Sequence, residues 1–261
     1  MRIDVIFPCR ITDDYRKRNF KYVREAYRNC LNEILRETDL KFNVEFTVAD
    51  DSNAEGFNRG RAINEAIYHI YKYSYGPETT HYIFADIDMV PTKELLYKAI
   101  VASDTAPGFV VPFTRIQFLN EKGSELLRKN KASGLPWPPE YVEFDFQQRG
   151  TGSINVMRKE VFDRIGCFDE HFTTWGYEDS AFHITSEFLC GPTTWIEGTI
   201  LHLWHPHTYR DGGPEQQKCL KYCQEMYDSV KTMDDMKRTL RQRSRTIFMK
   251  EDWGKDLGLY E

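Results

Sequence analysis

Three groups of residues have the types and spacing to do chemistry. The first is Asp86-Ile-Asp88, which closes the apolar run Tyr82-Ile-Phe-Ala85 and precedes Pro91. Two carboxylates one residue apart repel each other and are costly to hold together unless a cation sits beside them. A hard divalent ion such as Mg²⁺ or Mn²⁺ takes one or two carboxylates and fills its other positions from substrate phosphates. Asp-x-Asp therefore reads as a metal–diphosphate site, or, taken alone, as a polar turn after a strand. The second group is His202-Leu-Trp-His205, with His207 two residues on. With Asp88, His202 and His205 would complete a ligand set, Asp86 would bind a ribose or a metal-bound water, and His207 could meet a diphosphate. The plainer alternative is a strand-end surface cluster. The third group is Thr174-Trp-Gly-Tyr-Glu-Asp179. Asp179 suits a general base that takes a proton from an attacking hydroxyl, although the macrodipole favours acidic residues at any helix start.

Elements must bring these groups together. Ile3 to Phe7 reads as a first strand, ending at Pro8-Cys9-Arg10. Phe20, Val23, Tyr27, Cys30, Leu31, Ile34 and Leu35 recur at helical spacing. Phe42, Val44, Phe46 and Val48 alternate as a second strand that runs into Asp50-Asp51. After Phe57-Asn-Arg-Gly-Arg-Ala-Ile-Asn64, Ile67, Ile70 and Tyr71 continue an amphipathic helix, and a third strand leads to Asp86. Three successive strands thus end in polar residues, and parallel strands bring those ends to one edge, where open α/β sheets bind ligands. Thr92 is placed to cap a helix, and Phe109–Phe113 reads as a fourth strand. Residues 132–144, with Leu135-Pro-Trp-Pro-Pro139, read as an irregular functional loop, where Trp137 either packs or stacks on a sugar. Gly150 and Gly152 leave room for another group to approach, before strand Ile154–Met157 and a helix from Lys159 to Ile165 ended by Gly166.

At this level of detail the motifs resemble a family, over roughly residues 1 to 207. Pro8-Cys9-Arg10, Asp50-Asp51, Phe57-Asn-Arg59, Asp86-Ile-Asp88, Gly152-Ser153, Trp175-Gly-Tyr-Glu-Asp179 and His202-Leu-Trp-His205 stand in the order found in GT-A-fold nucleotide-sugar glycosyltransferases. The order is most similar to that of the β-1,4-galactosyltransferases, with kinship to bacterial family-2 enzymes. The resemblance implies an α/β, Rossmann-like, mixed and mostly parallel sheet flanked by helices, with a C-terminal helical tail. It implies a metal-dependent, inverting transfer of a hexose or N-acetylhexosamine from a UDP-sugar to a carbohydrate or glycosylated acceptor. Pro8, Arg10, Asp50, Asp51, Phe57, Arg59, Asp86, Gly152, Trp175 and His207 would then bind the donor. Asp88, His202 and His205 would hold Mn²⁺ or Mg²⁺, with Asp179 as base and Glu178 contacting acceptor or donor sugar. Two departures stand out. His202 replaces a methionine, and imidazole is the better ligand for a borderline ion. Tyr177 replaces a glycine and changes the shape beside the acceptor.

Composition bounds the rest. The chain has 261 residues, 41% hydrophobic and 29% charged, which suits one GT-A domain over 1–210 (a nucleotide half, 1–113, and an acceptor half, 114–210) with a helical extension over 211–261 packed on it. The net charge of −5 gives no footprint for nucleic acid, and no stretch is long enough to span a membrane. Asp4 interrupts the opening apolar run, which argues against a signal peptide. Six scattered cysteines read as reduced thiols, and location as cytoplasmic. The rival classes are a nucleotidyltransferase, disfavoured by the lack of glycine after the first strand, a retaining UDP-sugar transferase, and a non-catalytic sugar-nucleotide-binding module.

Overall fold

The computed structural model describes residues 1–50, 57–73, 78–130, 137–146, 150–174, 176–206 and 213–243. Asp51, Trp175 and His207 therefore lie outside the described residues. In chain order the elements begin with β1 (Arg2–Cys9), α1 (Asp14–Glu37), β2 (Asn43–Asp50), α2 (Arg59–Tyr73), β3 (His81–Ala85), β4 (Met89–Val90) and α3 (Lys93–Ser103). Next come β5 (Val110–Val111), β6 (Arg115–Leu119), α4 (Glu121–Asn130), a 3₁₀ turn (Pro139–Tyr141), β7 (Val142–Phe146), β8 (Ile154–Arg158) and α5 (Lys159–Ile165). The chain continues with α6 (Glu178–Leu189), β9 (Thr194–Trp195), β10 (Thr199–His202), α7 (Pro214–Cys223), a π-helical turn (Gln224–Asp228) and α8 (Met233–Gln242).

The larger sheet has the order β2-β1-β3-β8-β5-β9. β1 pairs parallel with both β2 and β3, so the first three strands end on one edge as their polar termini require. β8 enters antiparallel between β3 and β5, and β9 then pairs parallel with β5. Every residue of β1 is buried, because helices cover both faces of a central strand. Asp4 is tolerated there because Arg2 reaches it with Nε and Nη2, at 3.2 and 3.0 Å, and the Thr79 hydroxyl also donates to it. β2 lies at the edge and is largely accessible, with Val48 exposed. Aromatic rings fill the centre. Phe84, Phe162, Phe168 and Phe182 interlock, with Phe168 and Phe182 stacked at 4.1 Å.

A second, four-stranded sheet has the order β4-β10-β6-β7. β6, β7 and α4 were not anticipated. Of the expected irregular loop from 132 to 144, residues 132–136 lie outside the described residues, and the rest passes through the 3₁₀ turn into β7. Trp137 is 7% exposed and donates its backbone N–H to Gln117 Oε1 at 3.1 Å, which fits the packing alternative. The fourth strand, expected over five residues, pairs only at Val110 and Val111. Thr92 does cap α3, accepting from Leu95 N at 3.2 Å. Gly166 ends α5 with φ 76°, a left-handed conformation that glycine adopts at no steric cost. All six cysteines are free thiols. Among the described residues no helix is long and apolar enough to cross a membrane.

Candidate active site

The two sheets meet at Asp86-Ile87-Asp88. β3 ends at Ala85, the chain turns through a bond from Met89 N to Asp86 O, and β4 follows at once. β4 pairs antiparallel with β10, with Met89 opposite His202, so a backbone ladder brings the histidine strand to the carboxylate. Leu203 N donates to Asp88 O at 2.8 Å and extends that pairing. Asp88 Oδ2 stands 3.2 Å from His205 Nε2 and 3.8 Å from His202 Nε2. Ligand atoms of all three lie within 4.8 Å of one another. Burial pushes the Asp88 carboxyl up, but the two facing imidazoles outweigh it and hold the group below its ordinary value. Burial would depress His205, and the same carboxylate instead raises it. His205 Nδ1 lies 3.1 Å from Pro206 O, so a proton held there would leave the Nε2 lone pair facing Asp88. One carboxylate and two imidazoles, converging from one side, suit a divalent ion that keeps open positions for other oxygens.

Supporting contacts fix this corner. The His202 ring lies 4.5 Å from Phe118 of β6, its register partner, and Phe118 stacks on Phe144 at 4.1 Å. Between the two histidines, Trp204 N donates to Ser124 Oγ at 2.7 Å and Trp204 O accepts from Asn19 Nδ2 at 3.1 Å. The sequence reading missed β6 and so missed Phe118. Its signal was the alternation Arg115-Ile-Gln-Phe-Leu119, with apolar residues on one face.

Asp86 belongs to a separate charge cluster. Arg59, in the first turn of α2, donates from Nε to Asp86 Oδ1 at 3.0 Å and stands 3.7 Å from Glu178 Oε1 through Nη1. Among the described residues, both terminal nitrogens of Arg59 are buried without a hydrogen-bond partner, as is Glu178 Oε2. A buried guanidinium with free donors is costly and suits an anionic ligand with several oxygens. Burial, with Asp179 adding to it, pushes the Glu178 carboxyl up to about 7 against the pull of Arg59. Burial likewise raises Asp86, with Arg59 opposing.

Asp179 opens α6 beside Glu178, and its own Oδ1 accepts from Ser180 N at 2.9 Å. A Cβ on Gly152 would overlap Asp179 Oδ2, so the group for which Gly152 leaves room is this carboxylate. The next residue, Ser153, has φ 75° and accepts from Asp86 N at 2.9 Å. The turn Gly152-Ser153 thus meets the Asp179 carboxylate and the Asp86 backbone. Asn58 and Asn64, quoted in the sequence motif without a role, hold residues 168–170. Asn58 Nδ2 donates to Glu170 O at 2.8 Å, and Asn64 pairs with Phe168 through both its nitrogen and its oxygen. Asp50 is exposed at the end of β2, opposite Cys9, and Pro8 is buried one position earlier. Arg10 follows β1, half-buried, and Phe57 packs on the core.

Residues 140–188 match a family profile described as the N-terminal domain of galactosyltransferase. That segment runs from the start of β7 through most of α6 and includes Gly152, Glu178 and Asp179. No curated protein sequence matches the chain. Among solved structures it is similar to the catalytic domain of Drosophila β1,4-galactosyltransferase 7 in complex with xylobiose, with TM-score 0.52 and 16% identity over 95% of this chain and 82% of that one. A mutant of that enzyme, in complex with manganese, UDP-Gal and xylobiose, gives 0.54 and 15% over the same shares. Glucosyl-3-phosphoglycerate synthase from Mycobacterium tuberculosis, in complex with Mn²⁺ and UDP-glucose, gives 0.50 and 8% over 88% of this chain and 80% of that one. At such identities the structural likeness shows the fold, which is GT-A. The fold is thus of the GT-A type, and the matched segment is similar to the galactosyltransferase domain.

Proposed function

We propose that the protein moves a hexose or N-acetylhexosamine from a UDP-sugar to a carbohydrate hydroxyl, with a divalent ion and with inversion at the anomeric carbon. The observation that carries this reading is the convergence of Asp88, His202 and His205 on one point beside a buried, under-bonded Arg59. Two of the three structures named above were solved with manganese and a UDP-sugar, which supports the same donor class here. Asp88, His202 and His205 would hold the ion, which supplies Lewis-acid neutralisation of the departing diphosphate. Imidazole ligands favour Mn²⁺ over Ca²⁺. Arg59 offers its free N–H groups to the donor phosphates while Asp86 holds it in place. Pro8, Arg10 and Asp50 would contribute the nucleoside end of the pocket; the donor contacts that the motif resemblance assigns to Asp51, Trp175 and His207 lie outside the described residues.

In the reaction the acceptor oxygen forms a bond to the anomeric carbon as the bond from that carbon to the diphosphate oxygen breaks. The electron pair leaves with UDP, and the acceptor proton passes to Asp179. Asp179→Asn keeps shape but cannot accept that proton, so kcat should fall by about 10²–10⁴ with UDP-sugar affinity little changed. Activity near wild type would reduce Asp179 to a helix-start carboxylate, and loss of UDP binding would move it to the donor site. NMR of the first-formed product reads the anomeric outcome. A product with the donor's configuration would favour the retaining alternative.

A further inference from the structure

Among the described residues, the stretch 213–243 supplies no ligand or base to this site, yet it packs against the segment that leads to Asp179. Gln216 Nε2 of α7 lies 3.5 Å from where a Cβ on Gly176 would stand, and Cys219 Sγ is 3.3 Å from Thr174 Oγ1. Phe172, Ala181, Cys219, Cys223 and Tyr227 form a buried cluster on which Tyr177 and Tyr222 pack. Tyr177 has φ 72° at the start of α6. A residue with a side chain keeps that backbone only where its surroundings over-determine it, and here the tail supplies much of the surface that holds its ring.

Beneath this cluster, donors converge on the buried carboxylate of Asp169. Tyr227 Oη donates to it at 2.6 Å and Tyr222 Oη at 2.9 Å, and His171 N donates at 3.1 Å. Arg243, just after α8, donates to Tyr227 Oη and to the carbonyls of Ile165 and Cys167, each at 3.1 Å. The flanking residues Phe168 and Glu170 are tied to Asn58 and Asn64, on either side of Arg59. One segment is therefore gripped from the donor helix and from the tail. An apolar patch would cover the core equally well, whereas a fully satisfied polar network selects one geometry.

We propose that Asp169, Tyr222 and Tyr227 are positioning residues through which the C-terminal extension sets Gly176–Asp179, and so the base, against the donor. This rests on the reading of Asp179 given above. The test measures UDP release with Mn²⁺ and whichever of UDP-galactose, UDP-N-acetylgalactosamine, UDP-glucose and UDP-N-acetylglucosamine the wild type turns over fastest. Asp179→Asn is run first: if it matches wild type, the reading of the base fails by itself. With that control collapsed, Tyr222→Phe should lower kcat at least threefold and Tyr222→Phe/Tyr227→Phe at least tenfold, with donor KM within twofold. A lower melting midpoint with kcat within twofold of wild type would make the network merely structural and overturn the proposal. So would kcat and donor affinity worsening in step. If the double variant shows no cooperative melt, Tyr222→Phe, which keeps every ring, decides by the same criteria.

Discussion

Glu178 is an acid whose surroundings oppose its charge. It is 6% exposed, its Oε2 has no partner, and its carboxyl is pushed up to about 7 by burial. A carboxyl raised above its unfolded value of about 4.5 binds more protons in the folded state between those two values. Stability then falls as pH rises through that window and levels off above it. Glu178→Gln, which mimics the protonated form, should therefore stabilise the donor-free protein at pH 8 by on the order of 1–3 kcal/mol and have little effect near pH 4.5. Denaturant melts of both proteins at the two pH values check this. Equal effects at both pH values would mean that Glu178 is already ionised. Gly152 offers a second check at this scale. Gly152→Ala places a methyl group on Asp179 Oδ2, so kcat should drop at least about tenfold while donor affinity holds, since moving a catalytic group by an ångström has costs of that order.

At the scale of elements, the site is built by short pairings between distant segments. Asp88 meets His202 because two-residue β4 pairs with β10, and β10 is held in turn by β6. Asn64 does similar work for the 168–170 segment. It is fully buried and bonds to Phe168 N, Phe168 O and Glu170 Oε1 at 2.9 to 3.0 Å. Asn64→Ala would leave those buried groups unpaired and should cost roughly 2–4 kcal/mol, read as a shifted denaturant midpoint with unchanged slope. A loss below about 1 kcal/mol would show that water replaces the amide. The strands β1, β2 and β3 were legible because each carries a run of apolar residues ended by polar ones. β6 and β7 were not, because five-residue strands with no tight turn between them leave a weak local signal. The direction of β8 is likewise unwritten in its own residues, since pairing to β3 and β5 decides it. The grouping of Asp88, His202 and His205 was legible from residue type, spacing and the resemblance in motif order. The contacts of Gly152 with Asp179, and of Asn58 and Asn64 with 168–170, depend on tertiary geometry and were not.

For the whole molecule, stability comes from one large core and two satellite clusters, the latter formed with the C-terminal helices. With every cysteine free, reductant should leave the melting midpoint unchanged, and a fall of several degrees would reveal a disulfide in solution. On the proposed reading the labour is divided: the parallel strand ends and α2 would face the donor, and α6, backed by the tail, would present the base. What joins the two is the divalent-ion corner at Asp88, so the account stands or falls there. The direct measurement is calorimetric binding of the preferred UDP-sugar, with Mn²⁺ and with excess chelator, to wild type and to Asp88→Ala. The account predicts binding to wild type that needs Mn²⁺ and is lost with chelator or with the substitution. Equal affinity in chelator, or an Asp88→Ala protein that binds and turns over the donor as wild type does, would contradict it.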